Sequence, residues 1–162
     1  MKRTRRSGFT LVELLIVIVV IGVLSAMMML SSTEAVSSAK ASNIVSNLRN
    51  LKTAALAMYV DNLDAFSNDV AMTDFNGTYR TKLVSYMSSS SAGDIDEHYK
   101  LAQGSDKAWY VVYDGLTAND SVNKKLEGRA GSVGLCTGDG LTSISKATSF
   151  TAAKTIVGMW VR

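Results

Sequence analysis

At 162 residues, with 47% hydrophobic and 19% charged side chains, the chain is long enough for one folded domain plus a tail and too apolar for disorder. Lys and Arg number 17 against 14 Asp and Glu, but Lys2, Arg3, Arg5 and Arg6 supply four of the positives; from residue 9 onward the balance is 13 against 14, and no basic surface remains to support nucleic-acid binding. One cysteine (Cys136) excludes an intrachain disulfide, one histidine (His98) excludes multi-histidine metal sites and argues against His-based catalysis, and no proline breaks the chain.

The N-terminus carries the strongest pattern. The basic run Lys2-Arg3-Thr4-Arg5-Arg6 is followed by Ser7-Gly8, then Phe9-Thr10-Leu11-Val12, then one carboxylate, Glu13. Leu14 to Thr33 is a stretch of twenty residues without formal charge. As a helix rising ~1.5 Å per residue it spans about 30 Å, the thickness of a bilayer's hydrocarbon core. Leu14, Leu15, Ile16, Val17, Ile18, Val19, Val20, Ile21, Gly22, Val23 and Leu24 are the expected transmembrane residues. The basic cluster before them keeps the N-terminus cytoplasmic by the positive-inside rule. A secretory signal peptide fits poorly: Glu13 interrupts its start, and the apolar run continues past Leu24-Ser25-Ala26 to Leu30. A plain signal anchor accounts for the span but gives no role to Gly8-Phe9 or Glu13.

The string Gly8-Phe9-Thr10-Leu11-Val12-Glu13-Leu14-Leu15-Ile16 resembles the processing motif of type IV prepilins and type II secretion pseudopilins. The family pattern is a short basic leader ending in Gly, then Phe, then Glu as the fifth mature residue, then an apolar run. The resemblance implies cleavage between Gly8 and Phe9 by a prepilin peptidase, N-methylation of Phe9, and an assembly role for Glu13. The chemistry of Glu13 fits independently. A carboxylate at the centre of a span costs about 2.5–3.5 kcal/mol on insertion scales, less near its edge, so it needs a partner. In a stack of parallel subunits, one copy's Glu13 would neutralise its neighbour's Phe9 amine. The alternative is that Glu13 sits solvated among headgroups.

Beyond the span, Ile44, Leu48, Leu51, Ala55, Met58 and Asn62 fall on one helical stripe bordered by Val45, Lys52 and Tyr59. One helix from Phe9 to Leu63 would be about 83 Å long, with half in a membrane or filament core and half against a globular head. Residues 47–54 and 57–62 are similar to the helix end of several pilins and major pseudopilins. Asp61-Asn62-Leu63-Asp64 and Ser67-Asn68-Asp69 mark the helix end, Asp74-Phe75-Asn76-Gly77 a turn, and Ser88 to Gly93 a loop; a short helix is expected near 79–88. Tyr99–Ala102 and Ala108–Tyr113 read as strands, the second apolar on both faces. Thr117–Ala130 reads as a helix capped by Thr117 or Asn119, with Val122, Leu126 and Arg129 on one side. Ser132–Thr137 and Lys154–Val161 read as strands either side of a turn at Gly138-Asp139-Gly140. The expected fold class is α+β, a type IV pilin fold whose long helix packs its outer half on a small antiparallel sheet. The order of head elements is similar to that of clostridial-type type IV pilins. The expected division is a leader 1–8, a transmembrane and filament-core segment 9–33, and a head 34–162 with a connecting region 64–106 and a C-terminal sheet 107–162.

No catalytic set is visible, so no enzyme is expected. His98 beside Asp96 and Glu97 reads as surface, and Cys136 in an apolar strand reads as a small buried hydrophobe. No metal or other cofactor is expected. Major pseudopilins carry calcium in a head loop, and Asp94, Asp96 and Glu97 or Asp114, Asn119 and Asp120 would be the oxygens here, but neither group has EF-hand spacing. Gly138-Asp139-Gly140 lacks the lysine and hydroxyl of a phosphate loop.

What the resemblance implies is a structural subunit. It inserts in the cytoplasmic membrane with its N-terminus inside, loses residues 1–8, and polymerises through its apolar helix into a type IV pilus or pilus-like filament. Its partners would be other copies of itself, the prepilin peptidase and methyltransferase, membrane lipid, an assembly ATPase and a platform protein. A pseudopilin of a secretion or DNA-uptake system shares the motif. The alternative of another class is a membrane-anchored enzyme or binding module. Many family members have a proline near the position of Leu30; with none here, Gly22 is the one candidate weak point of the helix.

Overall fold

An apolar stretch joined without a breaker to an amphipathic one should give a single long helix, and it does. In the computed structural model, α1 runs from Leu11 to Asp61, 51 residues, continuous through Gly22. Residues 8–61, 83–87, 95, 97–104, 106–141 and 143–161 are described, the side chains of Leu30 and Ser31 excepted. The expected cap and turn signals at 62–77 and the loop at 88–93 lie outside them. Of the short helix expected near 79–88, Leu83 to Ser85 is helical and Tyr86 and Met87 form a turn. The chain divides into two compact units, Met1–Val36 and Ser37–Arg162.

In the second unit, Ile44, Leu48, Leu51, Ala55 and Met58 of α1 are all buried, together with Ala41, Val45 and Ala54. They meet one face of a five-stranded antiparallel sheet: β1 (Tyr99–Gln103), β2 (Trp109–Tyr113), β3 (Leu135–Thr137), β4 (Ser145–Ser149) and β5 (Val157–Trp160). The spatial order is β1-β2-β5-β3-β4, so the last strand fills the centre. It pairs Tyr110 with Trp160 and Val111 with Met159 on one side, and Leu135 with Met159 on the other. The period of two then sorts the side chains. Leu101, Trp109, Val111, Leu135, Val157 and Met159 join the α1 core. Ala102, Tyr110, Val112 and Cys136 turn to the opposite face and are covered by Ile144. The α+β class is thus a long N-terminal helix and a C-terminal antiparallel sheet, consistent with a pilin fold.

The second helix, α2 (Ser121–Val133), starts four residues later than its apolar spacing suggests. Asn119 takes a left-handed φ of 60° and donates its N–H to the Ala152 carbonyl (2.7 Å), so Asp120 becomes the cap and accepts from the Ser121 N–H. The C-terminus is set by Gly134, at φ 73°, whose N–H bonds the Ala130 carbonyl. That helical end takes Ser132 and Val133 from the expected strand and shortens β3 to three residues. Asn123, fully buried, ties α2 to the loop between β4 and β5 by donating to the Ala152 and Lys154 carbonyls at 3.1 and 2.9 Å. The last strand is likewise shorter than expected, at four residues.

Gly158 on β5 is where a side chain is excluded. A Cβ there would lie 2.6 Å from Ile144 Cδ1 and 2.9 Å from the Val111 carbonyl, so Ile144 packs directly on the backbone of the central strand. Around this plug two acidic groups are held protonated. The Cys136 thiol donates to the Gly158 carbonyl at 3.3 Å, and burial pushes its pKa from 9.0 to about 12. The Tyr110 hydroxyl donates to Asp106 (2.6 Å) and accepts from the Lys146 N–H (2.8 Å); burial, then the bond to Asp106, raises it well above the usual phenol range. In the unfolded chain both ionise earlier. Their stabilisation is therefore complete below the unfolded thiol's ordinary value and declines as pH rises towards the folded one. Thermal melts should show Tm falling as pH rises from about 9 towards about 12, and Cys136→Ala should flatten that fall. An equal fall in the variant would assign the alkaline loss elsewhere.

Candidate functional site

The first unit places its chemistry at the start of α1. Gly8, Phe9 and Thr10 are non-helical and exposed, and the helix begins at Leu11. The Gly8–Phe9 peptide bond therefore lies in open backbone two residues before the first helical turn. Among the described residues nothing lies within 4 Å of a Cβ built on Gly8.

Thr10 and Glu13 close that first turn on each other. The Thr10 N–H and hydroxyl both donate to Glu13 Oε2, at 2.8 and 2.7 Å, and the Glu13 N–H donates back to Thr10 Oγ1 at 3.2 Å. This is a capping box, which satisfies amide groups that a helix N-terminus otherwise leaves orphaned. Thr10 is thus a site residue that the sequence reading passed over, although Thr-x-x-Glu before an apolar run is its recognised signature. The negative charge also sits at the positive end of the helix dipole. Among the described residues the Glu13 carboxylate accepts through one oxygen. A carboxylate offers about four lone-pair positions, so the group keeps capacity for a further cationic donor.

From Leu11 to Met29 the large apolar side chains are exposed all round the helix, Leu11 at 79% and Met28 at 77%. By length and composition α1 is able to cross a membrane. The transmembrane residues expected from sequence, Leu14 to Leu24, all lie in this exposed stretch.

Several of the head's acids are engaged with neighbouring groups. Asp114 accepts from Lys100 and lies 3.1 Å from His98 Nδ1, and His98 also meets the Tyr113 ring edge-on. Asp120 is spent on the α2 cap and Asp139 pairs with Lys154. Asp94 and Asp96 lie outside the described residues; Glu97 is exposed. Among the described residues no three His, Cys, Asp or Glu side chains converge. Cys136 is buried, and its raised pKa keeps it the neutral thiol rather than the thiolate nucleophile.

Residues 3–29 match the model of the prokaryotic N-terminal methylation motif. The match covers the basic residues from Arg3, Gly8-Phe9, the Thr10–Glu13 box and the apolar run to Met29, so the chain carries a type IV prepilin-like signal. No curated protein and no solved structure matches the chain.

Proposed function

We propose that this chain is the precursor of a structural subunit that polymerises, through its N-terminal helix, into a type IV pilus or pilus-like filament. One observation carries the reading. Within the methylation motif at residues 3–29, Gly8-Phe9 is exposed, non-helical backbone directly before a stretch of α1, Leu11 to Met29, whose apolar side chains have no packing partner among the described residues. A peptidase needs an extended segment to reach the Gly8 carbonyl. A helix this apolar needs lipid or other helices around it.

In this mechanism Met1 to Ser7 stay cytoplasmic and α1 spans the bilayer. A prepilin peptidase cuts between Gly8 and Phe9 and methylates the new Phe9 amine. An assembly ATPase and a platform protein supply the energy of extraction. The Leu14–Leu24 surface then exchanges lipid for neighbouring helices. Glu13 of one copy neutralises the Phe9 amine of the next while keeping its own cap on Thr10. The head forms the outer surface, in a structural rather than an enzymatic role.

Mass spectrometry of the protein from native membranes tests this. The expected N-terminus is methylated Phe9. An N-terminus at Met1 would overturn processing and leave the helix as an anchor for the head.

A further inference from the structure

The face of the head where α2 crosses α1 carries two arginines with no acid between them. Arg49 on α1 and Arg129 on α2 line one cleft of about 310 Å³, completed by Ser42, Ser46, Asn50 and Val133. Among the described residues no carboxylate lines it and neither guanidinium joins an ion pair. This is unusual in a chain whose acids and bases nearly balance beyond residue 8. Two like charges facing one small space repel each other, an arrangement that an anion between them would relieve.

Arg129 is also held in place without being neutralised. Its Nη1 donates to Ser42 Oγ at 2.7 Å and its Nη2 to Ser38 Oγ at 3.3 Å, hydroxyls from successive turns of α1. The Ser42 hydroxyl spends its own proton on the Ser38 carbonyl (2.9 Å), so it faces Arg129 as an acceptor only. The guanidinium plane is thereby fixed, and three of its five N–H groups remain for another acceptor. Arg49, exposed, supplies a second fork from the neighbouring wall, and the Ser46 hydroxyl a neutral donor. A planar, pre-oriented fork beside a second one is suited to oxygens held in fixed geometry.

We propose that this cleft binds a tetrahedral oxyanion, the phosphate or sulfate group of a monoester. The volume exceeds that of the free ion and accommodates a substituent of glycerol or monosaccharide size. Val133 and the buried Val45 at its edge give that substituent an apolar contact. The inference is independent of filament formation, because the site lies within one copy of the head.

Full-length protein in neutral detergent, titrated at constant ionic strength and followed by its melting temperature, decides the matter. Inorganic phosphate and glycerol phosphate should each raise Tm saturably in the millimolar range, glycerol phosphate at the lower concentration. Arg49→Gln should weaken both by about tenfold with the ligand-free melt unchanged, since its exposed side chain holds no bond among the described residues. Arg129→Lys keeps the charge and loses the fork, and should weaken binding by a similar factor. A tighter phosphate than ester would overturn the monoester and leave the ion itself as ligand. A shift that is linear, or equal in wild type and both variants, would be a general salt effect and would overturn the site. Absence of any saturable shift to about 50 mM, with filament assembly lost in Arg49→Gln, would overturn it in favour of a carboxylate on a second copy of the chain.

Discussion

Glu13→Gln should insert into the membrane as well as the native chain and yield almost no filament. Glu13→Leu would also lose filaments, but it removes two things at once: the charge, and the acceptor for Thr10. The glutamine separates them. Its side-chain carbonyl accepts the Thr10 N–H and hydroxyl, now at 2.8 and 2.7 Å from Glu13 Oε2, and so retains the capping box. What it cannot do is neutralise a cationic amine. An uncompensated charge at the hydrocarbon edge of a helix bundle costs about 2.5–3.5 kcal/mol at most, which lowers each subunit's addition constant roughly a hundredfold. Thr10→Val is the complementary variant: it keeps the carboxylate and loses the reciprocal cap, a loss of about 1 kcal/mol, and should still assemble. Shearing of surface filaments, with membrane fractions as the control for insertion, measures all three. Normal filaments from Glu13→Gln would sink the charge pairing and reduce Glu13 to a helix cap.

The elements legible in the sequence are those with a strong period or a placed motif. The stripe from Ile44 to Met58 is buried as its spacing requires, because the helix period holds whatever it packs against. β2 read as apolar on both faces, and both are covered: by α1 on one side, by Ile144 on the other. β4 was invisible for a physical reason. Ser145-Lys146-Ala147-Thr148-Ser149 contains one alanine and no larger apolar residue, lies at the sheet edge, and is mostly exposed. Its place is fixed from outside, by pairing with β3 and by the Lys146 N–H on the buried Tyr110 hydroxyl. The start of α2 is ambiguous in the sequence because three polar residues within four positions, Thr117, Asn119 and Asp120, are each good caps. Only the tertiary bond from Asn119 to Ala152 selects the last. At the candidate site, Gly8, Phe9 and Glu13 were legible as a motif. The Thr10 partnership is written in the same letters, since Thr10-x-x-Glu13 is also a capping box.

Leu48→Ala should unfold the head at a temperature far below that of the native chain, whereas Leu56→Ala, two turns along the same helix, should barely move it. Leu48 has no exposed surface and lies in the core between α1, α2 and the sheet; Leu56 is 38% exposed. Removing a fully buried leucine side chain costs about 2–5 kcal/mol, lost transfer energy plus the cavity left behind. A domain this size has only about 5–15 kcal/mol in all, so the loss is a large fraction of its stability. For Leu56 the solvent-facing part of the side chain forfeits little, and alanine's better helix propensity offsets some of the rest, leaving less than about 1 kcal/mol. Trp109, buried in the same cluster, reports the transition by fluorescence in full-length protein. Equal melting temperatures for the two variants would mean that the core does not close on this face of α1. Set beside the Glu13 series, the outcome carries further. Glu13→Gln should lose filaments with the head's melt unchanged, and Leu48→Ala should lose the melt with membrane insertion unchanged. Opposite losses in the two variants follow if insertion and assembly depend on the apolar part of α1 while stability resides in the head, one unbroken helix serving both.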